Sequence, residues 1–284
     1  LNIAASAIST AIDQVEAEFD LTLVTRQRAR GIQATASGRD IAQKCERLLD
    51  EYRAMLAEGA DLKQSVSGSL KIGYYAPIAP AFLPHILDTF APKCADVRFD
   101  MDECDNDQAQ TGLIDGTYDV ILFVAQGVRP SIKYDTLIDA PPYCLLPANH
   151  ALGRQKSVTM AQIAKEPLVV LNRPVAASYY EGLFEPGARQ APIAAYAGST
   201  EMVRSLVASG RGLAILNMRP QTPETYCGAH VIERPISDAL PPLTLAIGYN
   251  KARPRRLVLD FARACSDFFA SPRAHQYILD AAAI

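Results

Sequence analysis

Four histidines, His85, His150, His230 and His275, are the first place to look for metal or acid–base chemistry. They stand far apart, with no HExxH run and no cysteine pair at zinc spacing, as structural or surface histidines do. The six cysteines, Cys45, Cys94, Cys104, Cys144, Cys227 and Cys265, are scattered singly with no CxxC pair and read as reduced thiols. Phosphate and nucleophile motifs are equally missing: there is no GxxxxGKS or GxxxxGKT and no GxSxG. Gly210-Arg211-Gly212 precedes a strand instead of opening a helix, which makes its glycines a helix stop and a turn. Asp100, Asp102, Glu103, Asp105 and Asp107 gather carboxylates at a strand end leading into a helix, where acidic side chains cap and solvate. No catalytic constellation results, and the chain reads as a non-enzyme with no cofactor.

What remains is the ends of helices. Gly198-Ser199-Thr200-Glu201 lies between an apolar strand and an apolar helix, so Ser199 or Thr200 is the expected N-cap. Tyr75-Ala76-Pro77-Ile78 precedes a helix expected from Pro80. Both loops sit at the carboxyl ends of strands, where α/β sheets receive ligands, and both present backbone N–H groups suited to an anion. Most such ends merely cap their helix.

The elements that must position these loops follow from the hydrophobic pattern. Ile8, Ile12, Val15 and Phe19 recur at four, three and four, one face of a helix, with Ser6, Ser9, Thr10 and Asp13 on the other. Leu21 to Val24, then Arg26, Arg28 and Arg30, suit a short hairpin with cationic side chains on one side. From Gly38, Ile41, Cys45, Leu48, Tyr52, Met55 and Leu62 form a heptad seam between charged flanks, which asks for a partner helix. Gln64 to Ser69 reads as a linker. Beyond it strands and helices alternate. Strands are expected at Leu70 to Tyr75, Val97 to Cys104, Val120 to Val124, Leu168 to Leu171, Ile193 to Ala197, Leu213 to Leu216 and Leu243 to Tyr249. Helices are expected at Pro80 to Phe90, Asp107 to Asp115, Val158 to Ala164, Ser178 to Phe184, Thr200 to Ser209 and Arg255 to Phe269. Such alternation predicts an α/β protein with mostly parallel sheets.

The 284 residues suit about two folding units. Lys and Arg number 28 against 31 Asp and Glu, a net charge of −3 that confines any DNA contact to a patch. No apolar run approaches the roughly 18 residues of a membrane helix, and no export signal is visible. The expected location is the cytoplasm, with no membrane partner.

In this order the segments resemble LysR-type transcriptional regulators. Leu1 to Ser9 with Ile12, Val15 and Glu16 is similar to the family's recognition helix. Leu21-Thr22-Leu23-Val24-Thr25-Arg26 resembles its entry into the wing, and Ala34 to Gly38 its wing-to-linker junction. Gly68 to Gly73, Gly116 to Val120, Leu145 to Leu152 and Val207 to Ala214 resemble landmarks of its effector domain. The resemblance implies a partial winged helix-turn-helix over residues 1–37 and a dimerisation linker helix over 38–67. A two-lobed, periplasmic-binding-protein-like effector domain follows over 68–272, with lobe one at 68–144 and 248–272, lobe two at 145–247, and a tail at 273–284. Leu1 would fall inside the winged domain, so an intact helix-turn-helix is expected to need residues before it.

The partners so implied are double-stranded DNA, a small organic effector with an anionic end among its options, and further copies of the chain in a homodimer or homotetramer. Ser6, Ser9 and Thr10 would face the major groove, and Arg26, Arg28 and Arg30 the phosphates or minor groove. Ile41, Cys45, Leu48, Tyr52 and Met55 would form the dimer seam. Between the lobes, the effector would meet Tyr75, Ala76, Pro77 and Ile78, the strand end Glu103, Cys104 and Asp105, then Phe123, Val124 and Ala125, and Gly198, Ser199, Thr200 and Asn217. The alternative is a sensor or solute-binding module of the same two-lobed fold that does not act on DNA. The first 60 residues argue against it, since a solute receptor needs neither a basic wing nor a heptad seam.

Overall fold

The computed structural model describes residues 5–27, 31–61, 67–75, 79–93, 96–184, 191–251 and 254–279, with the side chains of 5, 6, 26, 27, 57–61, 67 and 93 outside that description. The chain divides into two compact units, Leu1–Ser65 and Val66–Ile284.

In the first unit, helix α1 (Ala5–Phe19) carries the expected stripe, with Ile12 and Val15 half-buried, and ends at Asp20 in the left-handed region. Its Glu16 carboxylate accepts the Leu23 and Val24 amides at 2.5 and 3.0 Å, which ties the helix to the start of a hairpin. Strands β1 (Val24–Gln27) and β2 (Gly31–Ala34) pair antiparallel, with Arg26 opposite Ile32. Helix α2 (Ala36–Asp61) follows. Thr35 caps it, accepting the Gly38 amide at 2.9 Å while donating to the Thr22 carbonyl at 2.8 Å. Gly38 must be glycine, because an added Cβ would run into the Leu23 carbonyl oxygen.

The second unit contains two α/β lobes. Lobe one opens with β3 (Ser67–Tyr74), α3 (Ala79–Phe90), β4 (Asp96–Glu103), α4 (Asn106–Asp115), β5 (Val120–Val124) and β6 (Ile132–Ala140). Lobe two comprises β7 (Tyr143–Pro147), α5 (Met160–Ile163), β8 (Leu168–Leu171), α6 (Pro174–Gly182), β9 (Ile193–Ala197), α7 (Thr200–Ala208), β10 (Ala214–Leu216) and β11 (Val231–Pro235). The chain then returns to lobe one with β12 (Leu243–Asn250) and α8 (Arg256–Ala270).

Lobe one's sheet has the order β4-β3-β5-β12-β6. Lobe two holds β10-β7-β11 and β8-β9, and a parallel bridge from Leu168 to Leu213 joins the two pieces. Both lobes are mixed, correcting the expectation of mostly parallel sheets. Strands β3, β4 and β5 run parallel, whereas β12 is antiparallel to both neighbours, and in lobe two β7 is likewise antiparallel to β10 and β11. The antiparallel strands are those that meet the crossings between lobes. The boundaries also move. Tyr143 and Cys144 pair within lobe two, and Leu243 to Ile247 pair within lobe one, so the crossings fall at 140–143 and 236–243 instead of after Cys144 and Ile247.

Two helices begin elsewhere than expected. Thr159 caps a single turn at Met160 through a capping box with Gln162, leaving Val158 in a bridge to Ile236. Pro174 stands in the first turn of α6 and starts it earlier than Ser178, as a residue whose missing N–H costs nothing there. Helices α3 and α8 bury Phe82, Ile86, Phe90, Phe261 and Phe269 on one face of lobe one's sheet. Helix α4 covers the other, over Ile121 and Phe123.

Candidate functional site

Between the lobes lies a cavity of about 60 Å³ lined mainly by apolar side chains. Lobe one supplies Tyr75, Val124, Leu243 and Leu245, and lobe two supplies Leu171, Ala176, Tyr180, Thr200, Leu216, Asn217 and Met218. Ala140, at a crossing, completes it.

Two hydroxyls here have no hydrogen-bond partner: those of Tyr75, 2% exposed, and Thr200, 6% exposed. Tyr75 sits just past β3, held by its amide to the Leu122 carbonyl at 2.8 Å. Burial pushes its phenol up from the ordinary value, outweighing the nearby Ala176 N–H, which does not reach hydrogen-bond geometry, and Arg173, so it stays protonated at neutral pH. Thr200 is the first residue of α7. The preceding Ser199 caps that helix by accepting the Met202 amide at 3.3 Å, which leaves the Thr200 hydroxyl unspent.

Asn217 follows β10 and is fully occupied. Its amide donates to the Ala140 carbonyl and the Tyr179 hydroxyl, both at 2.9 Å, and its oxygen accepts the Tyr180 hydroxyl at 3.0 Å. Tyr179 in turn donates to the Pro241 carbonyl at 2.7 Å. One side chain thus holds the first crossing directly, the second through Tyr179, and helix α6 through both tyrosines. At the N-terminus of α6, Arg173 reaches across to lobe one, donating to Glu103 at 2.7 Å and to the Cys104 carbonyl at 2.9 Å, with its guanidinium 5.3 Å from the Tyr75 ring centroid.

Of the residues singled out from the sequence, Tyr75, Val124, Thr200 and Asn217 meet in the cavity. Glu103, Cys104 and Asp105 line an open acidic groove together with Asp102, Asp107 and Arg129. Phe123 lies in the α4-side core, because alternation along β5 sends it away from Val124. Ala125 packs on that same core, while Gly198 and Ser199 are exposed. Ala76, Pro77 and Ile78 lie outside the described residues, as do Arg28, Arg30 and the side chains of Ser6 and Arg26. Ser9 is half-buried and Thr10 exposed on α1. On α2, Cys45, Leu48, Tyr52 and Met55 are exposed and Ile41 half-buried. Sequence reasoning missed Tyr180, Leu243, Leu245 and Arg173. The proline after Arg173 was the one local sign that it flanks a helix start. Among the described residues no group of His, Cys, Asp or Glu could hold a metal, and no helix is long and apolar enough to cross a membrane.

Comparison with known proteins agrees with this architecture. The profile of the LysR substrate binding domain matches residues 63–270. The uncharacterized HTH-type transcriptional regulator YnfL of Escherichia coli is 27% identical over 222 residues, covering 76% of this chain and 74% of that protein. The HTH-type transcriptional regulator AlsR of Bacillus subtilis is 24% identical over 223 residues, covering 76% and 72%. The crystal structure of HinK, a LysR family transcriptional regulator from Pseudomonas aeruginosa, superposes with a TM-score of 0.67 at 25% identity, covering 94% of this chain and 90% of that one. With the family's substrate-binding domain spanning most of its length and the two-lobed fold that goes with it, this chain belongs to the LysR family of transcriptional regulators.

Proposed function

We propose that the chain binds DNA through its first unit and that a small organic effector, held in the cavity between the lobes, sets its regulatory state. The observation that carries the effector half is the pair of buried, unpartnered hydroxyls on Tyr75 and Thr200, one from each lobe. A ligand bonding both would favour the closed arrangement over an open one, and only such differential affinity can shift the population of states. Val124 and Leu245 would pack on its apolar body, and Asn217 would transmit the lobe geometry to both crossings instead of touching the ligand with a free donor.

For the DNA half, Ser6, Ser9 and Thr10 of α1 would read the major groove and Arg26, Arg28 and Arg30 would meet phosphate. The exposed α2 stripe of Leu48, Tyr52 and Met55, widened by Leu49 and Leu56, would pair with a second copy, giving a homodimer or, doubled, a homotetramer acting in the cytoplasm. Fluorescence anisotropy of the whole gene product on DNA from upstream of its own gene, across a salt series, tests this. Expected are a steep loss of affinity with salt, a preference over random DNA, and, for Arg30→Ala, uniformly weaker binding with a salt slope lower by about 1. Absence of any preference over random DNA would overturn the regulator reading, and an unchanged slope would remove Arg30 from the interface.

A further inference from the structure

The cavity's chemistry restricts what it can hold, given that it is the effector site. No charged side chain is among its described lining residues, and both hydroxyls left without partners can donate. Arg173, whose guanidinium lies 5.3 Å from the Tyr75 ring centroid, is committed to the Glu103 carboxylate at 2.7 Å and to the Cys104 carbonyl. The lobe-one groove that Glu103 also lines carries Asp102, Asp105, Asp107 and Asp115 beside Arg129, so it adds no surplus positive charge for an anion. Asn217 has no donor to spare, since its amide already serves Ala140 and Tyr179. A full negative charge brought into such a cavity would be desolvated without a counter-charge, whereas a neutral carbonyl loses little hydration and finds two donors.

We propose that the cavity takes a small uncharged molecule with a short apolar body and one hydrogen-bond-accepting oxygen, placed between the Tyr75 and Thr200 hydroxyls, and that it discriminates against the corresponding carboxylate. This rests on the effector reading above. Discrimination of this kind comes from the groups a wrong ligand leaves unpaired.

The test compares pentan-2-one with butyrate, molecules of equal heavy-atom number in which a methyl group of the ketone stands where the carboxylate has its second oxygen. Each is titrated at neutral pH into protein carrying ¹³C-labelled tyrosine and threonine, and the Tyr75 and Thr200 signals are identified by their absence in Tyr75→Phe and Thr200→Val. The expected result is that the ketone shifts both signals with a dissociation constant at least about tenfold lower than that of butyrate, and that each variant weakens the ketone by about fivefold, the loss of one neutral hydrogen bond. Butyrate binding as tightly as the ketone, or a ketone that shifts neither signal, overturns the proposal. Anisotropy on DNA separates the two levels. Loss of the ketone preference with DNA binding intact overturns the ligand class alone, and ketone binding without DNA preference overturns the regulator reading and leaves the class standing.

Discussion

Tyr75 and Thr200 each carry a buried hydroxyl that finds no acceptor in the protein, and a buried donor lacking an acceptor costs about 1–3 kcal/mol. That cost is borne by the fold, so removing the hydroxyl while keeping the shape should relieve it. Tyr75→Phe and Thr200→Val are each expected to raise the melting temperature by roughly 2–4 °C, the shift that about 1 kcal/mol produces in a chain of this size. Thermal denaturation monitored by circular dichroism checks this, and a fall of several degrees would show that the hydroxyls hold bonds in the free protein. These residues were legible in part, because Tyr75 ends a strand and Thr200 opens a helix. Phe123 lies away from the cavity for a definite reason: on a strand buried on both faces, apolar type gives no parity, and only pairing with β3 and β12 decides which face looks at the cavity.

Helix α6 and the two crossings are joined by Asn217, which makes three hydrogen bonds while 5% exposed. Asn217→Ala leaves the Ala140 carbonyl and the Tyr180 hydroxyl without that partner, a loss of about 2 kcal/mol that should lower the melting temperature by roughly 4–8 °C. Amide hydrogen exchange should accelerate specifically at 140–143 and 236–243, the segments the side chain holds. Uniform acceleration across both lobes would instead mean that Asn217 supports the core and not the crossings. Elements differed in legibility for physical reasons. Strand β6 escaped notice because most of its residues are exposed, so no period-two apolar signal marks it, and β11 is short and carries Glu233 and Arg234. The capping box of α4, in which Asp105 and Gln108 each bond the other's backbone, is by contrast written in four consecutive residues.

Across the whole molecule, several acids are buried in their neutral form. Burial pushes the Cys144 thiol up to about 12 and raises the Cys265 thiol and the Tyr143 and Tyr180 phenols well above their ordinary values. In the unfolded chain these groups ionise from about pH 9 for thiols and 10 for phenols. Above that the unfolded state binds fewer protons than the folded one, so stability falls as pH rises. Each such group contributes a slope of about 1.4 kcal/mol per pH unit once its unfolded form has ionised. The melting temperature of the second unit is therefore expected to be nearly flat from neutrality to about pH 8.5 and to drop steeply from pH 9 upward. A melting temperature unchanged at pH 10.5 would contradict the burial of these groups.

Local information in the chain determined the helix faces, the caps at Ser199 and Asp105, the alternation of strands and helices, and the ordered landmarks that mark the family. Each rests on residues a few positions apart, where hydrophobic spacing and backbone hydrogen bonding act directly. Tertiary structure alone decided the site's chemistry. Arg173 and Glu103 are 70 residues apart, Asn217 and Ala140 are 77 apart, and only the two crossings bring them together. Which buried hydroxyls are left without a protein partner, and that the Arg173 guanidinium already pairs with Glu103, depend on sheet register and the packing of the two lobes, and no short-range pattern in the chain encodes either.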